Sequence, residues 1–234
     1  MNTNYKHIKV IGFDADDTLW VNETYFRDAE LEFAKLMAPY ETANKVEQEL
    51  FKKEMENLPL YGYGIKGFVL SMVEMAVEIS NNSMSNETVT KILNIGKDML
   101  DAPVELLDGV EDILKHISQD YKLIVLTKGD LLDQERKLKK SNLTAYFHHI
   151  EVMSDKQEVN YSKVLAHLEI APSEFLMIGN SLKSDILPLV NIGAEAIHIP
   201  FHTTWLHEQV SEQETKNKAY KTITSLLELK RILN

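Results

Sequence analysis

From Lys122 onward, four short apolar runs alternate with segments whose apolar residues recur at helical spacing. The runs are Lys122–Thr127, His149–Met153, Phe175–Ile178 and Ala196–Ile199, and a fifth, Ile8–Phe13, stands near the start. Helical spacing marks Asp112–Ile117, Leu131–Lys140, Tyr161–Leu168 and Asp185–Asn191. Short β-branched runs alternating with amphipathic helices predict a parallel sheet with crossover helices, an α/β doubly wound fold. Between the first two runs the pattern differs. Ala29–Met37, Val46–Met55 and Phe68–Ile79 carry helical periodicity, and Ser85 or Asn86 is placed to cap one more helix. The expected layout is a core of residues 1–19 and 104–234 and a helical cap of residues 20–103. Hinges are expected at Trp20–Asn22 and near Asp101–Glu105.

Composition narrows the function classes. A chain of 234 residues with 44% hydrophobic and 26% charged residues can bury a proper core. No apolar stretch is long enough to cross a membrane. Met1–Lys9 lacks the apolar region of a signal peptide, so a cytoplasmic protein is expected. The absence of cysteine excludes disulfides, thiolate metal sites and cysteine catalysis. A net charge of −11 argues against nucleic acid or an anionic membrane as partner. The basic cluster Arg136–Lys140 reads as a solvated helix face.

The chemistry-bearing residues gather at the ends of the apolar runs. Asp14-Ala15-Asp16-Asp17-Thr18 follows Ile8–Phe13, at the sheet edge where ligands of open α/β folds bind. Carboxylates so close repel unless a cation or shared proton compensates, although Asp17 or Thr18 could also cap the next helix. Thr127-Lys128-Gly129 offers a hydroxyl, an ammonium and a flexible backbone suited to an oxyanion. Lys156 can neutralise a phosphate or a carboxylate as a point charge. In Gly179-Asn180-Ser181-Leu182-Lys183-Ser184-Asp185, the glycine permits a tight turn and Asp185 opens the next helix.

This ordered set resembles the haloacid-dehalogenase-like superfamily: a DxDxT motif, then a Ser or Thr, a Lys, and a G(D/N)xxxxD motif. The insert falls where that superfamily places its type-one cap. The resemblance implies a phosphohydrolase that uses Mg²⁺ and passes through an aspartyl-phosphate. Asp14 would be the nucleophile and Asp16 the general acid and base. Asp14, the Asp16 carbonyl and Asp185 would hold the metal, with Asn180 outside them. Thr127, Lys128 and Lys156 would bind phosphate. Asn180 gives one negative charge fewer than Asp at that position, and Asp17 replaces a frequent glycine. The implied substrate is a small phosphorylated metabolite; the oligomeric state is left open, with a monomer as one option. Alternatives within the superfamily are a nucleoside 5′-monophosphate phosphatase, a phosphomutase or a dehalogenase, the last disfavoured by Asp16.

Two other patterns are set aside. Gly62-Tyr63-Gly64-Ile65-Lys66-Gly67 matches a dinucleotide fingerprint but lacks a preceding strand, so an inter-helix bend is expected. Tyr63 and Lys66 in that bend are candidates for substrate selection. His198, His202 and His207 are spaced over a strand and a loop, which does not suit zinc.

Overall fold

The apolar runs become a six-stranded, all-parallel sheet in the computed structural model, which describes residues 5–233. Residues 1–4 and 234 of the expected core lie outside the described residues. The strands are β1 (Val10–Phe13), β2 (Lys122–Lys128), β3 (His149–Met153), β4 (Phe175–Gly179), β5 (Glu195–His198) and β6 (Lys221–Thr222). Their spatial order is β3-β2-β1-β4-β5-β6. The chain builds outward from β1 on one side, then crosses to β4 on the other. That reversal beside β1 is the switch point at which α/β sheets open a crevice.

Alternate residues of each strand feed two cores. Ile11, Phe13, Leu123, Val125, Leu176 and Ile178 pack with Val110, Ile113, Leu114 and Ile117 of α5 (Val110–Ile117). Val10, Ile124, Leu126, Phe175 and Met177 pack with Tyr161 and Leu165 of α7 (Glu158–His167) and Leu189 of α8 (Leu187–Asn191). Both faces of the sheet are therefore covered, which is why its strands read as continuous apolar runs.

Contacts divide the described residues into two compact units. One holds the residues up to Glu23, Val104–Lys128 and those from Lys137 onward; the other holds Thr24–Pro103 and Gly129–Arg136. The second unit contains α1 (Glu23–Met37) beyond its first residue, α2 (Ala43–Tyr61), α3 (Ile65–Ile79), α4 (Asn86–Asp101) and the first part of α6 (Leu131–Lys140). Its centre is Phe33, Met37, Leu50, Met72, Met75, Ala76 and Ile92. Ser85 caps α4 by accepting the Thr88 N–H. In the first unit the two stretches beside the insert run together. Val21 N–H donates to Glu105 O at 2.9 Å and Leu107 N–H to Leu19 O at 3.0 Å.

Candidate active site

Register brings the predicted residues to one edge. Phe13, the last residue of β1, pairs with Val125 on one side and Ile178 on the other. Asp14 follows at once, its N–H donating to Ile178 O at 2.9 Å. Thr127 lies two residues beyond Val125 and Gly179 one beyond Ile178, so both stand level with the Asp14 turn.

A buried ammonium ties the carboxylates together. Lys156 Nζ is 2.5 Å from Asp14 Oδ1 and 2.7 Å from Asp185 Oδ1. The lysine and Asp185 side chains are each only 1% exposed. Two carboxylates sharing one ammonium leave one negative charge uncompensated in a desolvated place. Burial first, and then the charge of Asp185, push the Asp14 carboxyl up to about 7 against the pull of Lys156. The same two carboxylates hold the Lys156 pKa well above its ordinary value, although burial opposes this.

The remaining polar groups orient those three. Thr18 Oγ1 donates to Asp14 Oδ2 at 2.9 Å and accepts the Asn180 N–H at 3.1 Å. The Asn180 side-chain Oδ1 lies 3.3 Å from the same hydroxyl. Ser181 N–H donates to Asp185 Oδ2 at 2.9 Å, and Asp185 N–H returns to Ser181 O at 2.8 Å. Asp185 does not open a regular helix, as its sequence position suggested. It sits in a wide π-type turn, Leu182–Ile186, a form frequent at functional sites. Gly179 serves that turn without a positive φ. A Cβ there would collide with the Asp185 carboxyl, so close approach is what requires the glycine. Tyr161 Oη donates to Ser184 O at 2.9 Å from beneath.

Asp16 is engaged separately. Its Oδ1 accepts from Trp20 Nε1 at 2.7 Å and from Lys137 Nζ at 2.6 Å. Lys137 belongs to the cluster read as a solvated face, yet its side chain is only 15% exposed. Gln134, Leu138 and Ser141 are buried at helical spacing, which puts Lys137 beside the inner stripe of α6, but two of those three are polar and so no apolar pattern in the sequence marks that stripe. In the sequence Thr18 stands only as part of the motif or as a cap, and Trp20 only at a hinge; their bonds to Asp14 and Asp16 are not foreseen there.

The other candidates have these surroundings. Thr127 is buried and its hydroxyl donates to Lys128 O at 3.2 Å. The Lys128 ammonium is engaged by Glu208 Oε1 at 2.7 Å and Ser184 Oγ at 2.9 Å. In the helical unit, Lys66 Nζ pairs with both Asp130 oxygens at 3.0 Å, and Tyr63 is half-buried. Residues 62–64 join α2 to α3, and residues 65–67 already belong to α3, so a helix and not a strand precedes the glycine run and Lys66 lies on a helix rather than in the expected bend. His198 Nε2 meets Asn180 O at 3.0 Å, His202 stacks on Phe201, and His207 lies against Trp205.

Among the described residues no three His, Asp or Glu side chains converge as a ready metal cage. What the site offers is the two carboxylates of Asp14 and Asp185 and a deficit of positive charge. That donor set fits a hard divalent cation that keeps several waters, as Mg²⁺ does.

A family model described as haloacid dehalogenase-like hydrolase matches residues 8–193. A crystal structure of a haloacid dehalogenase-like family hydrolase from Xanthomonas campestris superposes with a TM-score of 0.85 at 33% identity. It covers 97% of this chain and 92% of its own. The N-acylneuraminate-9-phosphatase of Homo sapiens is 22% identical over 97% of this chain and 94% of its own length. The glyceraldehyde 3-phosphate phosphatase of Pyrococcus furiosus is 24% identical over the same shares.

Proposed function

The chain belongs to the haloacid dehalogenase-like hydrolases, and from that premise we propose that it is a Mg²⁺-dependent phosphomonoesterase acting on a small phosphorylated metabolite. The observation that carries this reading is the buried Lys156 held between Asp14 and Asp185. Lys156 opposes the burial and the Asp185 charge that raise the Asp14 carboxyl, and it holds that group aimed, as a nucleophile needs.

Asp14 attacks phosphorus, so that an Asp14 O–P bond forms as the bond to the substrate alcohol breaks. Asp16 gives its proton to the departing oxygen. Trp20 and Lys137 both donate to its Oδ1 and orient the carboxyl for that transfer. Asp16 then accepts a proton from the water that attacks the phosphoryl group, and the Asp14 O–P bond breaks to release phosphate. Lys156 and the Thr127 hydroxyl, with the backbone N–H groups beyond it, hold the charge of the transferring group. Asp14, the Asp16 carbonyl and Asp185 would hold Mg²⁺, which when bound neutralises the excess carboxylate charge and polarises a phosphoryl oxygen.

The test begins with phosphate release from sugar phosphates, nucleotides and small acid phosphates, with and without Mg²⁺. The substrates for which the two curated relatives are named head the panel. Asp14→Asn is expected to abolish turnover and the acid-stable, base-labile phosphoryl label that wild type acquires from a phosphorylated substrate. A variant that still turns over near the wild-type rate would remove Asp14 from this role.

A further inference from the structure

One carboxylate at this edge has no part in the chemistry above. Glu208, in the single turn Leu206–Glu208, accepts from Lys128 Nζ at 2.7 Å through Oε1. Through Oε2 it accepts from Ser181 Oγ and Ser184 Oγ, each at 2.5 Å. A second tie joins the same segments, Lys183 Nζ donating to His207 O at 2.7 Å. The Glu208 side chain is 12% exposed and that of Lys128 is 13% exposed.

We propose that Glu208 is a positioning residue, which fixes the turn carrying Asp185 against the end of β2 carrying Thr127 and so sets the affinity of the site for Mg²⁺. The inference rests on the reading of Asp185 as a cation ligand. Three features support it. Ser181 is bonded to Asp185 through both its N–H and its carbonyl. Its Oγ accepts the Ser184 N–H at 3.0 Å and donates to Glu208. The orientation of the Asp185 carboxylate is therefore transmitted through Ser181 to Glu208. Next, Lys128 is the neighbour of Thr127, so the same carboxylate anchors the phosphate side of the edge. β2 and β4 lie on opposite sides of β1, and Glu208 bridges their ends. Finally, burial alone would push the Glu208 carboxyl up, but Lys128 and the two serine hydroxyls hold it at about 2, an anion at every working pH.

Calorimetric titration of Mg²⁺ into wild type, Glu208→Gln, Ser184→Ala and Asp185→Asn tests this, with thermal melts alongside. Glu208→Gln keeps the shape but cannot neutralise Lys128. Outer-shell partners of metal ligands are worth about 10–100-fold in affinity, and a loss of that size is expected for Glu208→Gln. Ser184→Ala removes one arm without stranding a buried charge and should weaken Mg²⁺ several-fold. It carries the measurement alone if Glu208→Gln fails to fold. A merely structural role would lower the melting temperature and leave Mg²⁺ affinity at the wild-type value, which overturns the proposal. Wild type that binds no Mg²⁺ overturns the cation reading and this inference with it. Wild-type binding that Asp185→Asn abolishes and the Glu208 and Ser184 variants leave untouched overturns this inference alone.

Discussion

Asp17 illustrates how one side chain can serve two opposed demands. Its φ of 62° lies in the left-handed region, where a non-glycine residue costs roughly 1–2 kcal/mol. Its carboxylate accepts the Asn22 and Glu23 N–H groups, at 2.8 Å and 3.0 Å, and so caps α1. A cap of this kind contributes about 0.5–2 kcal/mol. The two terms nearly cancel, so Asp17→Gly should leave the urea unfolding free energy within about 1 kcal/mol of wild type. Asp17→Ala loses the cap and keeps the strain, and should be the less stable variant by about 1 kcal/mol or more. Glu208 makes a prediction in pH. Its carboxyl is held at about 2 in the folded chain against an ordinary 4.5. A depressed folded pKa stabilises above the unfolded value, and that contribution fades as pH falls from about 4.5 toward 2. Its ceiling is on the order of 3 kcal/mol. Denaturant unfolding across that range should show a shallower acid decline in Glu208→Gln. Residues of this kind were the least legible in sequence. Asp14, Asp16, Lys156 and Asp185 announce themselves by type and position at strand ends. Lys137 and Glu208 do not, because their partners lie far away along the chain and no local pattern records which carboxylate a lone lysine will meet.

At the scale of elements, periodicity was a good guide to which segments form strands and a weaker one to where they end. Ile8–Phe13 shortens to Val10–Phe13, because the first residues of the apolar run precede the ladder. The helix expected from Ala29 begins at Glu23, where the Asp17 carboxylate supplies the start, and Phe26 carries its apolar stripe into the first turn. β6 is two exposed residues, Lys221 and Thr222, with no apolar run to betray it. The junction of β4 with the wide turn gives a sharper test. Gly179→Ala sets a methyl against the Asp185 carboxyl, so the turn must move. Overpacking of this kind costs typically 1–3 kcal/mol. Here it should also raise the Mg²⁺ concentration for half-maximal activity, which Gly193→Ala, where a Cβ meets nothing within 4 Å, should not do. Equal Mg²⁺ dependence in the two variants would detach Gly179 from the site.

For the whole molecule, the charge of −11 and the phosphate chemistry fit together only because the positive charge is concentrated: Lys156, Lys128 and Lys137 are all turned inward. Among the described residues no helix is long and apolar enough to cross a membrane. We propose that the insert selects the substrate. Tyr63→Ala with Lys66→Ala, the latter breaking the pair with Asp130, should change relative kcat/KM across the phosphate panel with Mg²⁺ dependence unchanged. Uniform loss over all substrates would assign those residues to stability alone. The two stretches flanking the insert hydrogen-bond to each other, Val21 to Glu105 and Leu107 to Leu19. The chain therefore leaves the sheet unit and returns to it at one spot, and closing a loop between such neighbours grows dearer by only about 0.6 kcal/mol per doubling of its length. An insert can then lengthen, shrink or be exchanged without shifting β1 against β2 by a residue. In a lineage of such chains, the catalytic edge and the range of molecules it serves become separately heritable traits.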